Sequence, residues 1–429
     1  MTPYSQAKSR NKILFVNGFS KAQYEALPRL SQILGREIVP VLLFDLKKVA
    51  KPFVAEIKDL ILLRVDFGDG EQIQEALKPY AEEIITATCL SDINVPHLKR
   101  VIPYLPHCIL PIEKSLEWTT EKTKMRAKLR SYDKSIAPKF LVVHDDTKET
   151  IDKIEKAVGY PLVMKPSGLA ASLLVSICYH REELEKVLKQ TVKKIDQLYK
   201  LKNGRGEPKI LVEEFMEGDM YSIDAYVNPY GVIYFAPTVY VKTGRDVGFD
   251  DFFGYMRMTP TQLNDTHTQD ARDAAEKAIK ALSMRSTTCH IELMRTEGGW
   301  KVIELGPRIG GFRHEMYQHS YGMDHSLNDL LIRIPRKPII PKKAKGYTAL
   351  LQFYAHKEGK LQRIQGVMKI QALASLKRLT VKKEPGDRCT FAKNGGDPVL
   401  EILLFNPIRS NVLADIRRIE QSLKIITEK

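Results

Sequence analysis

Residues Thr287–Gly311 read TTCHIELMRTEGGWKVIELGPRIGG, two strand-like runs on either side of Glu297-Gly298-Gly299. That triplet is a hairpin turn signal. With the turn centred on Gly298, Ile291 faces Leu305 and Leu293 faces Ile303, which makes one apolar face. On the other face Met294 meets Val302, His290 meets Gly306, and Glu292 meets Glu304. Directly opposed carboxylates repel and cost stability. A divalent cation between them removes the cost, and Mg²⁺ favours one or two carboxylates together with substrate phosphates. Two other readings stay open: a proton shared by the pair as in a general acid/base couple, or a register slip by one residue that leaves both glutamates in water.

Gly306-Pro307-Arg308-Ile309-Gly310-Gly311-Phe312-Arg313 follows the second run. Glycines permit close backbone approach to a ligand. Arg308, two residues past Gly306, points to the glutamate face if the strand continues. A guanidinium there suits phosphate or carboxylate recognition, or else pairs with the glutamates themselves. Further upstream, Pro161–Ser172 is an apolar strand ending in Lys165, followed by a small-residue loop. Such a loop exposes N–H groups that can cradle phosphate oxygens, with the lysine as a point charge. Neither a GxxxxGK[ST] loop nor GxGxxG occurs. Asp66-Phe67-Gly68 lacks the HRDxxxxN that would make it a kinase triplet. His314–His319 is HExxxH, one residue too long for two histidines on one helical face.

These residues need a scaffold. The 429 residues are enough for two or three domains. With 43% hydrophobic and 28% charged residues, a disordered or fibrous chain is excluded. No apolar run is long enough for a membrane helix, and the first ten residues have no apolar signal core. Five widely spaced cysteines without CxxC argue against a disulfide framework or a cysteine zinc site, and point to a reducing cytosol. The net charge of +15 fits a basic enzyme that handles anionic ligands; the alternative is nucleic-acid binding, which requires a concentrated basic patch.

A strand with a glycine turn over Lys12–Gly18 and strands at Ile38–Phe44, Leu60–Val65 and Glu83–Thr88 alternate with helices and predict a parallel sheet, ending near Pro103–Pro111. The middle mixes helices (Thr119–Tyr132, Thr147–Val158, Glu182–Leu201) with strands (Leu162–Lys165, Leu173–Cys178, Ile210–Phe215, Tyr221–Val227, Gly231–Thr238). The loop Lys202–Pro208 punctuates it. Val239–Thr259, with Lys242, Arg245 and Arg257, reads as a long functional connection or a surface hairpin. After the linker Arg336–Lys345, strands are expected at Tyr347–Ala355, Gly366–Gln371 and Leu400–Phe405, with a last helix over Ser410–Leu423.

Together the motifs resemble the ATP-grasp enzymes, ATP-dependent ligases that join a carboxylate to an amine. Glu121-Lys122-Thr-Lys-Met125-Arg126 resembles the family's first phosphate-lysine segment, and Val163-Met-Lys165-Pro166 the second, before the loop Ser167–Ser172. Leu211–Gly218 resembles the adenine hinge. There Glu213 is expected at the adenine amino group, backbone groups at Glu214 and Met216 at the ring, and Phe215 beside it. Glu292 and Glu304 match the two magnesium carboxylates, and Arg308 the arginine that holds the acyl phosphate or incoming carboxylate; Arg308 and Arg313 are the catalytic residues the resemblance implies. Met220 stands where an acidic ribose ligand is common, with Asp219 beside it. Gly306 stands where a third metal ligand, an asparagine, is common.

The resemblance implies an α/β and α+β multidomain chain: a Rossmann-like N-terminal domain (1–110), an ATP-grasp domain (111–336) and a small α+β C-terminal domain (337–429). It implies ATP and Mg²⁺ (or Mn²⁺), with Lys122, Lys165, Ser167, Ser172, Glu213, Glu214, Phe215, Met216 and Asp219 on the nucleotide. The expected partners are small-molecule carboxylate and amine substrates, amino acids foremost, with no nucleic acid, no membrane, and a homodimer allowed. The expected location is cytoplasmic. The expected reaction makes an amide or dipeptide through an acyl phosphate. The contrasting reading, motivated by Met220 and Gly306, is a nucleotide-binding regulator with little turnover.

Overall fold

The computed structural model describes residues 10–48, 52–57, 59–168, 174–202 and 207–428. Ser172 with the rest of the loop at 169–173, residues 203–206 of the KNGRGEP loop, and the N-terminal stretch 1–9 lie outside the described residues.

The first unit is a four-stranded parallel sheet in the order Ile61–Val65, Val39–Asp45, Lys12–Val16, Ile84–Thr88. Its central strands bury both faces, so they are near-continuous apolar runs. Leu14, Val16, Val41 and Leu43 pack on one side, and Ile13, Phe15, Leu42 and Phe44 on the other. The second side is covered by the helix Lys21–Leu34, closed at its start by a Ser20/Gln23 capping box, and by Leu327, Leu330 and Leu331 of the helix His325–Arg333. That second helix also crosslinks the units. Asp329 accepts from Thr88 and from Thr288, and Arg333 donates to the Ala87 carbonyl and to Thr287.

A four-stranded antiparallel sheet follows, in the order Phe140–Val143, Ile210–Glu214, Leu162–Pro166, Ser176–Cys178. The amphipathic helix Arg181–Lys202 backs it through Leu184, Leu188, Ile195 and Tyr199.

The largest sheet has nine strands among the described residues. Its path runs Gly299–Gly306, Thr287–Thr296, Asp219–Val227, Val239–Thr243, Gly254–Thr259, Tyr347–Phe353, Leu400–Asn406, Leu376–Val381, with Ile233–Phe235 pairing on Asp219–Val227. Val239–Thr259 is therefore a hairpin in the sheet interior, and the surface-hairpin reading is corrected. Strands before and after the linker Arg336–Lys345 pair directly, Gly254–Thr259 with Tyr347–Phe353, so one sheet runs through both parts of the chain. A small sheet of Arg388–Cys389, Gly359–Gln365 and Lys424–Glu428 closes the C-terminal part.

Two other expectations change. Thr119–Tyr132 is not one helix but two, Glu113–Thr120 and Lys122–Tyr132, broken at an extended Glu121. The Thr119 and Thr120 hydroxyls bond back to the Leu116 and Glu117 carbonyls, an alternative to continuing the helix. Gly366–Gln371 is a turn and a short helix, Val367–Gln371, rather than a strand. Gly366 takes φ +90°, and a Cβ there would lie 2.4 Å from the Ser422 carbonyl oxygen.

Candidate active site

The glutamate hairpin forms, with Thr287–Thr296 antiparallel to Gly299–Gly306. Its pairing near the site is the expected one: His290 opposite Gly306, Ile291 opposite Leu305, Glu292 opposite Glu304. Nearer the turn it differs. Thr296 pairs with Gly299, so the loop is the two residues Glu297-Gly298, and Leu293 faces Val302 while Met294 faces Lys301. A bulge at Ile303 absorbs the difference and restores the glutamate pair. Val302 takes the buried position expected for Ile303 and joins Ile291, Leu293 and Leu305 in the core.

The bulge frees the Ile303 carbonyl, which accepts from Arg126 Nη2 at 2.5 Å. Arg126 is 1% exposed and also ion-pairs with Glu213, which is equally sequestered. Lys165 Nζ lies 2.5 Å from the other Glu213 oxygen. Lys122 Nζ lies 3.2 Å from Glu304. Burial pushes the Glu213 carboxyl up, but Arg126 and Lys165 overcome it and hold it at about 2. For Lys165, burial lowers the ammonium, Arg126 and Lys122 add to that, and the shared Glu213 compensates only in part.

The Glu213 carboxylate, expected at an adenine amino group, is held here by two cations, Arg126 and Lys165. The Glu214 side chain pairs with Lys301 at 3.4 Å, and its N–H is spent on the Lys139 carbonyl. Phe215 lies under the Arg245 guanidinium, 5.5 Å from its ring centroid. Met216 follows the strand end, and Asp219, exposed, opens the next strand opposite Arg295. Ser167 is buried with its N–H on the Lys209 carbonyl, and the neighbouring Gly168 N–H donates to the Tyr199 hydroxyl at 2.7 Å.

Lys122 opens the helix Lys122–Tyr132, whose first turn has no acidic residue and whose Glu121 makes no side-chain cap. Backbone N–H groups at a helix start that also carries a lysine suit an anionic oxygen.

Arg308 pairs with Asp92 of the first unit, Nε to Oδ2 at 3.0 Å. The alternative reading of Arg308, an ion pair with the glutamates themselves, is corrected: its carboxylate partner is Asp92. Gly306 makes this possible, since a Cβ there would sit 2.5 Å from Asp92 Oδ1. Arg313 is buried, with Nη2 donating to Ser222 Oγ at 2.7 Å.

Residues 158–315 match the family described as the ATP-grasp domain. The chain carries an ATP-grasp domain. Alanine–anticapsin ligase of Bacillus amyloliquefaciens is 29% identical over 206 residues, 45% of this chain and 42% of that protein. D-alanine–D-alanine ligase of Bacillus velezensis is 29% identical over 180 residues, 39% of this chain and 45% of that protein. The chain thus spans about half the length of the curated relatives it matches. The crystal structure of L-amino acid ligase from Bacillus licheniformis superposes with TM-score 0.77 at 18% identity, covering 98% of this chain and 100% of that one. N5-carboxyaminoimidazole ribonucleotide synthetase from Thermotoga maritima superposes with TM-score 0.67 at 17% identity, covering 97% and 100%. Both share the ATP-grasp fold with this chain.

The ATP-grasp hairpin rests on a buried polar chain that no sequence motif announced. Asp224, opposite His290 in the sheet, accepts from His290 Nδ1 at 2.6 Å, from His325 Nε2 at 2.7 Å and from the Gly310 N–H at 2.8 Å. With Nε2 donating, His325 Nδ1 accepts from the Tyr226 hydroxyl at 2.5 Å. His290 Nε2 then faces Glu292 at 3.7 Å. Burial pushes the Glu292 carboxyl up, but His290, Arg308 and Arg257 pull it down to about 2. Asp224, His325 and Asp92 were missed as site residues because each lies far along the chain from the motif it serves. His290 stood opposite Gly306, Arg126 in the Glu121–Arg126 segment and Arg257 in Val239–Thr259, but none was given a role of its own.

A cavity of about 740 Å³ between the first unit and the helix Glu113–Thr120 ends at Glu121 and holds none of these residues. No helix among the described residues is long and apolar enough to cross a membrane.

Proposed function

We propose that this protein is an ATP-dependent carboxylate–amine ligase that forms an amide or dipeptide, with amino acids as substrates. The observation that carries the reading is the cluster of Lys122, Arg126 and Lys165 beside the Glu292/Glu304 pair. Arg126 and Lys165 share Glu213, Lys122 pairs with Glu304, and burial with the neighbouring cations lowers the Lys165 ammonium. Anionic phosphate oxygens complete such a cluster.

Mg²⁺ fits the donors present: two hard carboxylate oxygens on cross-strand neighbours, Glu292 held ionised. Among the described residues no third acidic, histidine or cysteine ligand joins them, which leaves positions for phosphate oxygens and water. Bound there, Mg²⁺ would neutralise charge on the phosphates.

Lys122 and Lys165 would hold the phosphates in line. The substrate carboxylate attacks the γ-phosphorus, the bond to the β-phosphate oxygen breaks, and ADP leaves. The amine then attacks the carbonyl of the acyl phosphate, phosphate departs, and the amine nitrogen loses its proton. Arg308, held by Asp92, would meet the charge that develops on the acyl phosphate. The chain's contribution is positioning and charge stabilisation.

The test is ADP release with Mg²⁺-ATP across amino acids singly and in pairs, with Glu304→Ala in parallel. Release that requires a pair and disappears in the variant supports the ligase. ATP binding without release for any pair favours the regulator reading.

A further inference from the structure

We propose that the cavity between the first unit and the helix Glu113–Thr120 is an effector site for an α-amino acid zwitterion with a large apolar side chain. Its occupancy is read at the nucleotide side through Glu117, Lys124 and Glu121. The cavity lies outside the glutamate and lysine cluster, and its chemistry is independent of the carboxylate and amine joined there.

The cavity measures about 740 Å³, within the ~300–1,000 Å³ of small-molecule sites. Its floor is apolar. Phe67, Ile73, Val95 and Leu116 line it and belong to the buried core on one side of the parallel sheet. Glu113, Leu116, Glu117 and Thr120 line it at the i, i+3, i+4 and i+7 positions of one helix face. The helix Val95–Val101 contributes Lys99 and Arg100.

These charges are not equally matched. Glu117 is held twice, by Lys99 Nζ at 3.3 Å and by Lys124 Nζ at 2.5 Å. Glu113 opens its helix and forms no ion pair or hydrogen bond among the described residues. Arg100 Nη1 is anchored on the Phe67 carbonyl, and Arg100 forms no ion pair among the described residues. Asp66, whose carboxylate feels Arg100, is paired with Lys47 at 3.2 Å. One anion and one cation on two helices thus stand over an apolar floor without partners of opposite charge. An α-ammonium answers Glu113, and an α-carboxylate answers the Arg100 fork. An apolar side chain covers the floor and leaves water. The Tyr104 hydroxyl, which makes no hydrogen bond among the described residues, adds a neutral donor. Gly70 leaves it room, since a Cβ there would lie 2.7 Å from that oxygen.

The far end of the cavity reaches toward the nucleotide cluster. Lys124 bonds Glu121 at 2.8 Å as well as Glu117, and so spans the break between the two helices. Glu121 lines the cavity and is extended at that break. The next residue is Lys122, which lies 3.2 Å from Glu304. A ligand carboxylate beside Arg100 also competes for the neighbouring Lys99, and so for the hold on Glu117. Glu117 shares Lys124 with Glu121, one residue from the lysine proposed to hold phosphate.

The test is calorimetric titration of the wild type with L-phenylalanine, with L-phenylalaninamide, which lacks the carboxylate, and with 3-phenylpropionate, which lacks the ammonium. Each truncated ligand should bind roughly 10-fold more weakly than the amino acid. Arg100→Gln should weaken L-phenylalanine by a similar factor and leave the amide unchanged. Glu113→Gln should weaken L-phenylalanine and leave 3-phenylpropionate unchanged. Saturating L-phenylalanine should shift the Kd of Mg²⁺-ATP at least about fivefold, and Lys124→Gln should remove that shift while L-phenylalanine still binds. Wild type that does not bind L-phenylalanine overturns the site. So does binding that Arg100→Gln and Glu113→Gln both leave unchanged, which places the amino acid elsewhere. Tighter binding of L-phenylalanyl-L-phenylalanine would overturn the assignment to a free amino acid. An unmoved ATP Kd overturns the effector role. Arg100 and Glu113 are both exposed. Should either variant fail to fold, Thr120→Trp, which fills the cavity from its half-buried wall, must abolish L-phenylalanine binding.

Discussion

Asp92 and Arg308 meet across 216 residues of sequence, with the carboxylate of the first unit seated over Gly306 and 3.0 Å from the arginine Nε. The pair ties the parallel-sheet unit to the glutamate hairpin, and it decides where Arg308 points. Asp92→Asn should lower activity roughly 10- to 100-fold by releasing that guanidinium. It should cost about 1–3 kcal/mol of stability, the scale of a charge-assisted hydrogen bond. Steady-state kinetics and chemical denaturation check both.

Glu213 is ionised between Arg126 and Lys165, with its carboxyl at about 2 against a reference value of 4.5. A depressed folded-state value stabilises the native state above pH 4.5, and the contribution is lost as pH falls toward 2. The shift corresponds to ~3 kcal/mol. Denaturation curves between pH 2 and 6 should show this slope in the wild type and a shallower one in Glu213→Gln. The same variant should be less stable at pH 7 by ~3–5 kcal/mol, because two buried cations lose their counter-charge.

Tyr199 holds the Gly168 N–H at the edge of the small-residue loop. Tyr199→Phe keeps the ring in its buried position and removes that hydroxyl. The expected result is a loss of roughly 0.5–1.5 kcal/mol in ATP affinity, with little change in melting temperature. Calorimetric titration with ATP would show it, and an unchanged Kd would remove Tyr199 from the nucleotide site.

Glu292 and Glu304 should make nucleotide binding depend on a divalent cation. EDTA, or Glu292→Gln, is expected to abolish turnover and to weaken ATP binding. Mn²⁺ should restore function to the EDTA-treated wild type, since it accepts the same oxygen donors. Magnesium-dependent protection against thermal unfolding by ATP gives a readout without turnover.

The parts of this site legible in the sequence are those made by neighbours along the chain. The Glu292/Glu304 pair could be read because both strands meet at one short turn, and alternation puts every second residue on one face. Even there, two local deviations cancelled: the loop is Glu297-Gly298 and the bulge at Ile303 resets the register. The strands of the parallel sheet, and Lys165 at the end of its strand, were legible for the same reason, since each is a local apolar period with a turn signal.

Tertiary structure alone decided which distant charges meet. Nothing local to Glu213 marks it as the partner of Arg126, nothing near Arg308 points to Asp92, and Asp224 gathers His290 and His325 from separate elements. The continuation of the large sheet into Tyr347–Phe353 is of the same kind. A strand's periodicity shows which residues face the core. The partner edge that it pairs with is chosen by the burial and hydrogen bonding of the whole assembly, and that choice placed Arg257 on the face that holds the glutamates.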